Sequence, residues 1–503
     1  MKKYISLIAV FLTVGIAGCK KDYLSLENNP NQPSITTPDL ALSAAEVGAA
    51  YVTQVGYPQY GVWGGFWTTS GNYVPNATIN EYQITTGSFL LPDGNSLWTD
   101  WYLNLANFNT LQTIAAGSSA TANYQAIAMI MKAYGFAQLV DNYNNVPYSQ
   151  AFDTKNTTPA YDNGIDIYHD LGKQLDAAIA LIKKSPGAIG PTTSDVIFGG
   201  DMTAWIKFAN SLRLRLAIRV STNIGASDPL VTDLASTSSE GYLDGTLSAV
   251  ANPGYSGTNS GSGISQENPF YGEYGADVTN NPTFGNLYYR ANDFAVRFYT
   301  STNDPRLAAF YAKTTGGAYR GNIFGDTQGN LQNPFTSGIG PGLLTGPTQG
   351  AVLFSGAESL FLQAEALFNG INIGTTPEFA TAQLAYEAGI TASFESLGLT
   401  DAQASAYYAQ ALNNVSYTAS TNKETAIITQ KWASLNGLFN LEAYNDYRRT
   451  GVPVLPSSVD PSAIASTLPK RILYPTSELS TNPANIAKQG TISPITSKIF
   501  WAK

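Results

Sequence analysis

The chain has 503 residues, a formal net charge of −9 and only 13% charged residues. An acidic balance with few cations excludes a nucleic-acid partner, whose affinity comes from clustered Lys and Arg, and it excludes adhesion to an anionic surface. A single cysteine and a single histidine remove disulfides, thiol catalysis and cysteine-based metal sites together.

Residues 1–18 read MKKYISLIAVFLTVGIAG, with Lys2 and Lys3 ahead of an uncharged apolar run from Ile5 to Ala17. That is the layout of an export signal, too short for a permanent bilayer span. Ile16-Ala17-Gly18-Cys19 then follows the bacterial lipoprotein pattern. The small residues suit a peptidase cleft, and the Cys19 sulfur is the nucleophile that receives diacylglycerol. Cleavage is expected after Gly18, leaving residues 19–40 as a lipidated, Asn- and Pro-rich tether and 41–503 as the body. No later apolar stretch approaches spanning length, so membrane attachment is through lipid, each buried CH₂ contributing about 0.8 kcal/mol.

Helical signals dominate the body. Tyr124, Ile127, Ala128, Met131, Tyr134 and Leu139 follow one face, and Tyr168, Leu171, Leu175, Ala178 and Ile182 another, with Lys183 and Lys184 before Pro186-Gly187 as a stop. Asp201 is a good N-cap for a helix carrying Trp205, Phe208, Leu212 and Leu216. Ser355 and Glu358 read as a capping box, Thr376-Pro377 as the start of a further helix, and Thr400 with Gln403 as a second box. A last long helical region is expected from Glu424 to Arg449. Paired helices with small residues at crossing points are the mark of helical repeats, here too irregular to phase. Two regions differ: residues 55–105 are crowded with aromatics, and 250–345 are rich in Gly, Ser, Asn and Pro. Loops of this length usually carry function.

The motifs of catalysis are missing. His169 lies on the polar side of its helix as a solvated residue, without partners for a triad or metal site. There is no HExxH, phosphate loop or GxSxG, and Gly338–Gly346 reads as a loop. A carboxyl pair for glycoside hydrolysis need not be close in sequence, and nothing singles out two acids. Arg213, Arg215, Arg219, Arg448 and Arg449 could bind an anion, but in an acidic helical protein they pair with Asp and Glu or with helix ends.

The aromatics are more informative. Trp63, Trp67, Trp98 and Trp101 fall close together, beside Tyr73 and other rings, among Gly, Asn and Thr. Flat rings with polar neighbours suit sugars: the face meets pyranose C–H groups, and Asn, Gln and Tyr serve the hydroxyls. The competing reading is that these rings fill the core. Trp98 and Trp101, in the helical "SLWTDWYLNLANF", are good core candidates; for Trp63 and Trp67 both readings stand.

Several stretches occur in the order of the motifs of one family. "MKAYGFAQLVDNYNNVPYSQAF", "GDMTAWIKFANSLRLRLAIR", "NDPRLAAFY", "FLQAEALFNG", "ITQKWASLNGLFNLEAYNDYRRTGVP" and "RILYPTSELSTN" resemble the SusD/RagB family, and "NNPNQP" and "IFWAK" point to its SusD-like 2 branch. The resemblance implies an all-α dominated fold: a tetratricopeptide-like helical-repeat scaffold of about four helix pairs, with large loop-rich ligand-binding insertions. It implies an outer-membrane lipoprotein of Bacteroidetes, facing the exterior, that captures an oligosaccharide (in some members peptides or other nutrients) for a SusC-like TonB-dependent transporter. It implies no catalytic activity of its own, and no residue pattern in the chain calls for a cofactor or marks a metal site. Family motifs are mostly scaffold, so the ligand candidates Trp63, Trp67, Tyr73, Trp98 and Trp101 rest on local reading alone. A surface glycoside hydrolase and a helical scaffold binding only proteins or peptides are the alternatives.

Overall fold

The computed structural model describes residues 36–73, 75–236, 240–258, 266–374 and 379–503. The export signal, Cys19, most of the tether and the expected helix start at Thr376-Pro377 lie outside the described residues.

In chain order the helices used below are α1 (Pro38–Val55), α2 (Pro58–Trp63), α3 (Leu97–Ala115), α4 (Ala122–Tyr143), α5 (Gly164–Lys184), α6 (Met202–Asn223) and α7 (Pro269–Tyr274). They continue with α8 (Phe284–Tyr288), α9 (Asp293–Ser301), α10 (Gly356–Phe368), α11 (Ala382–Ser396), α12 (Asp401–Tyr408), α13 (Lys423–Ser434) and α14 (Asn440–Thr450). The strands are short: β1 (Trp67–Thr69), β2 (Ala249–Ala251), β3 (Tyr289–Ala291) and β4 (Ala351–Phe354).

Local chemistry sets the helix ends. The Asp201 carboxylate accepts from the amides of Thr203 (2.9 Å) and Ala204 (3.1 Å), opening α6. Thr400 and Gln403 form the full reciprocal box at α12. At α10 only half of the expected box forms. Ser355 Oγ accepts from the Glu358 amide at 3.1 Å, but the Glu358 carboxylate turns to Arg215, bonding its Nε and Nη2 at 2.9 and 2.8 Å. A buried guanidinium left unpaired costs far more than an incomplete cap, so the arginine wins the carboxylate. Helix α11 begins at Ala382 under a Thr381 cap. The expected region from Glu424 to Arg449 divides into α13 and α14, because Gly437 takes φ +88°, where a right-handed helix cannot continue.

Helix α1 packs on α3, α3 on α4 and α4 on α5; farther along α10 packs on α11 and α13. Helix α6 lies against α5, α10 and α14. The fold is therefore helix-dominated, a row of packed helix pairs of tetratricopeptide-like type. Helix α6 is buried on nearly every side, including its arginines. Arg219 pairs with Asp141 of α4 and Glu442 of α14, and Arg215 also reaches Glu442 at 3.5 Å. Arg449 bonds Glu365 of α10 at 2.6 and 2.9 Å, and Lys431 of α13 meets Asp446 at 2.9 Å. Arg213 pairs with Asp176 at 3.1 Å. These cations are structural and not an anion site. Their ion pairs tie α4, α6, α10, α13 and α14 into one body.

The two regions of unusual composition meet across a strand pair. Strand β1 runs antiparallel to β3, with Trp67 opposite Ala291, Thr68 opposite Arg290 and Thr69 opposite Tyr289. Strand β2 pairs with β4. Among the described residues no helix is long and apolar enough to cross a membrane.

Candidate functional site

The four tryptophans face inward, which favours the core-filling reading of them over their use as sugar platforms. Trp63, Trp67 and Trp101 are each 1% exposed and Trp98 is 5%, which leaves no ring face for a ligand. Trp63 Nε1 donates to the Ile79 carbonyl at 3.1 Å, and Trp101 Nε1 to the Tyr57 hydroxyl at 2.8 Å. Trp98 sits among Tyr102, Tyr143, Tyr161 and Tyr474. Trp67 packs on Tyr274 and Tyr289, ring centroids 5.2 and 5.4 Å away, because β1 pairing with β3 folds its ring under the second insertion.

Tyr73 differs. It stands half-buried at the end of the loop after β1, its ring 5.4 Å from Phe284 and 5.6 Å from Tyr288. Phe284 is 65% exposed and stacks on Tyr288 at 5.2 Å, planes 25° apart. Helix α8 places both, four residues apart on one face, and Thr283 caps it by accepting from the Asn286 amide at 3.2 Å. Tyr288 meets Tyr289 edge-on at 5.0 Å, and Tyr289 meets Trp67. A continuous run of rings thus leads from the core at Trp67 to the surface at Phe284. Burial raises the Tyr288 hydroxyl's pKa, an effect the Asn76 side chain partly opposes, so the ring enters any contact neutral.

Amides hold the loops around this surface. Asn72 Oδ1 accepts from Ser70 Oγ (3.1 Å) and from the Asn333 amide (2.7 Å). Asn322 Nδ2 donates to the Thr69 carbonyl at 3.1 Å while its Oδ1 accepts from the Leu331 amide at 2.7 Å. Gly71 lies so close to the 330–331 backbone that a Cβ there would sit 2.0 Å from the Asn330 carbonyl oxygen. Beneath, Arg290 donates to the carbonyls of Asn333 and Thr336 and fixes the turn that presents Phe335, itself 55% exposed. Burial lowers the Arg290 guanidinium to about 10, still protonated at neutral pH.

Chemically this is an open aromatic surface with an amide rim, able to stack on apolar ring faces and to exchange hydrogen bonds with hydroxyls. A separate cleft of about 920 Å³ opens beside α9, lined by Phe294, Phe298, Tyr319, Arg320 and Ile323. Its Phe294 and Phe298 rings are engaged edge-on with Trp432, centroids 5.6 and 5.2 Å away, so they serve the core first. His169 is not simply solvated: its Nε2 lies 2.9 Å from Asp228 Oδ2. Among the described residues no cluster of three His, Cys, Asp or Glu is placed to hold a metal ion. Sequence reasoning named Tyr73 but missed Phe284, Tyr288, Phe335 and the asparagines. The available signal was "NNPTFGNLYYR", an aromatic run behind a Thr cap.

A family model for SusD-like 2 proteins, described as starch-binding and associating with the outer membrane, matches residues 30–475. Among curated proteins none matches the chain significantly. Solved structures similar to the chain include a chitin-binding SusD homologue from Flavobacterium johnsoniae, 24% identical, covering 92% of this chain and 98% of that one with a TM-score of 0.71. A SusD homologue from Bacteroides uniformis is 23% identical, with 92% and 99% covered and a TM-score of 0.71. A SusD-like protein from Bacteroides thetaiotaomicron is 23% identical, with 92% and 98% covered and a TM-score of 0.69. At these identities the likeness establishes the fold.

Proposed function

The chain belongs to the SusD-like 2 family, and from that premise we propose that it is a non-catalytic nutrient-binding lipoprotein of the outer membrane. Anchored through Cys19 and facing the exterior, it captures an oligosaccharide at the surface formed by Tyr73 and the exposed Phe284, which the buried Tyr288 ring supports from beneath, and delivers it to a SusC-like TonB-dependent transporter. The single observation that carries the ligand class is the exposed face of Phe284 within a ring trio bordered by asparagines. A pyranose offers the matching pair of surfaces, a C–H face and a belt of hydroxyls. The family's description as starch-binding and the chitin-binding homologue support a glycan over a peptide.

The ring trio and the side chains bonded around it are aromatic, hydroxyl and amide groups. That composition supports capture over hydrolysis, which needs two carboxyl groups flanking the scissile bond. Incubation of the full chain with a panel of polysaccharides tests both halves of the proposal. Retention of at least one polysaccharide without release of product is the expected result, and release of shorter sugars would show a hydrolase instead. Co-purification of a TonB-dependent barrel from native membranes tests the transporter partner.

A further inference from the structure

A cleft of about 630 Å³ lies between α1 and α7, away from the residues of the ring trio. That volume falls in the range of ligand cavities, roughly 300–1,000 Å³. Its walls are apolar and aromatic, with Val47, Tyr51 and Val55 from α1 and Tyr255 opposite, while Glu267, Glu273 and Asp277 also line it and no Lys or Arg does. Asp277 is a fixed negative charge: it accepts from the Thr279 hydroxyl and amide and from the Asn281 amide at 2.6, 2.8 and 3.0 Å. Tyr51 senses the same excess of acid. Burial, and then the charges of Asp93, Asp100 and Glu273, push its hydroxyl up to about 12.

Two buried polar groups in this cleft lack partners. Asn268 is fully buried; its Oδ1 caps α7 by accepting from the Tyr271 amide at 2.9 Å, while its Nδ2 donates to nothing. The Tyr255 hydroxyl is likewise buried and unpartnered. Glu273 is partly buried with no cation offsetting it, and burial alone pushes its carboxyl up to about 7. Unsatisfied groups of this kind cost stability until something pairs with them. A ligand with a cation and hydroxyls supplies what is missing.

We infer that this cleft binds a glycan unit bearing a free amino group, with the ammonium answered by Glu273 and the hydroxyls by Asn268 and Tyr255. The sugar part of this inference rests on the glycan reading above; the cation part rests on the cleft alone. An ammonium brings three donors to the carboxylate, and Tyr51 and Tyr255 add ring faces that attract a cation. A neutral or acetylated sugar leaves Glu273 unanswered.

Calorimetric titration of the full chain with a glucosamine tetramer and with its N-acetylated counterpart tests this. The amino tetramer is expected to bind about tenfold or more tightly than the acetylated one. Glu273→Gln is expected to bring the amino tetramer's affinity down to that of the acetylated one, erasing the preference. Tyr255→Phe, which keeps the ring, should weaken the amino tetramer and serves if the first variant fails to fold. Equal binding of the two tetramers, no binding of the amino tetramer, or a preference that survives Glu273→Gln overturns the inference. The glycan surface is judged separately by Phe284→Ala: loss of neutral-glycan retention there, with a silent Glu273→Gln, sinks the cleft alone.

Discussion

Tyr73 and Phe284 meet edge to face, centroids 5.4 Å apart and planes at 74°. A loop that leaves β1 and a helix that enters β3 therefore end on one aromatic surface, although more than 200 residues separate them in sequence. The strand register that aligns Thr69 with Tyr289 produces this meeting, and the Trp67 ring behind it supports it. Support and contact are separable by substitution.

Trp67→Ala removes a fully buried ring from beneath Tyr289 and is expected to destabilise the protein by about 3–5 kcal/mol. Phe284→Ala, on a side chain 65% exposed, should change stability by no more than about 0.5 kcal/mol. Urea unfolding midpoints of the two variants check the contrast. Equal losses would mean that Phe284 is a packing residue.

Glu358→Ala strands Arg215 in the core without its bidentate partner, at a cost of about 3–5 kcal/mol. The exposed pair Arg297–Asp293 has the same chemistry in solvent, with the Arg297 side chain 76% exposed. Arg297→Ala is expected to cost about 0–1 kcal/mol. Thermal melts read this difference directly, and a large loss in Arg297→Ala would contradict the division between buried and surface pairs.

Gly71→Ala would place a methyl group 2.0 Å from the Asn330 carbonyl oxygen, a backbone atom that cannot swing aside. The 330–336 turn must move, at about 1–3 kcal/mol, and it takes with it the Asn72–Asn333 bond. Glycan retention should fall with near-native helical circular dichroism. Unchanged retention would show that the turn does not border the binding surface.

Glu273 gives a pH signature. Its carboxyl is raised by burial from 4.5 to about 7, so the folded state holds a proton that the unfolded chain releases. Its stability contribution is fully present below about pH 4.5 and is lost as pH rises through about 7. Asp100, raised to about 6 mainly by burial and then by Asp93, acts in the same direction. Glu273→Gln should flatten the fall in stability across this window, leaving the part due to Asp100 and to Glu46, whose carboxyl is also held well above its usual range by burial and then by Asp195. An identical slope in the variant would place the proton elsewhere.

How much of this was legible in the sequence depends on how far each feature's cause reaches. Asp201 and Thr400 announce their helices because a cap is decided within a few residues, and the 3.6-residue stripes recover α4, α5 and α6. Glu358 misleads for a non-local reason: its competitor Arg215 arrives from another helix. The same holds for Trp67, whose Gly and Thr neighbours leave exposure and burial equally open until β3, distant in sequence, covers it. Tyr73 was readable as a ligand candidate, but its partners Phe284 and Tyr288 were not, since only the strand pairing brings them together. The arginines were readable as structural from composition, and their partners only from the fold.

Glycan capture by the ring trio is read out by the retention of wild type and the Tyr73→Ala/Phe284→Ala double variant on immobilised polysaccharides. Wild type is expected to be retained by at least one glycan and the folded double variant to lose about five- to thirtyfold in affinity. Retention of the double variant equal to wild type would contradict it.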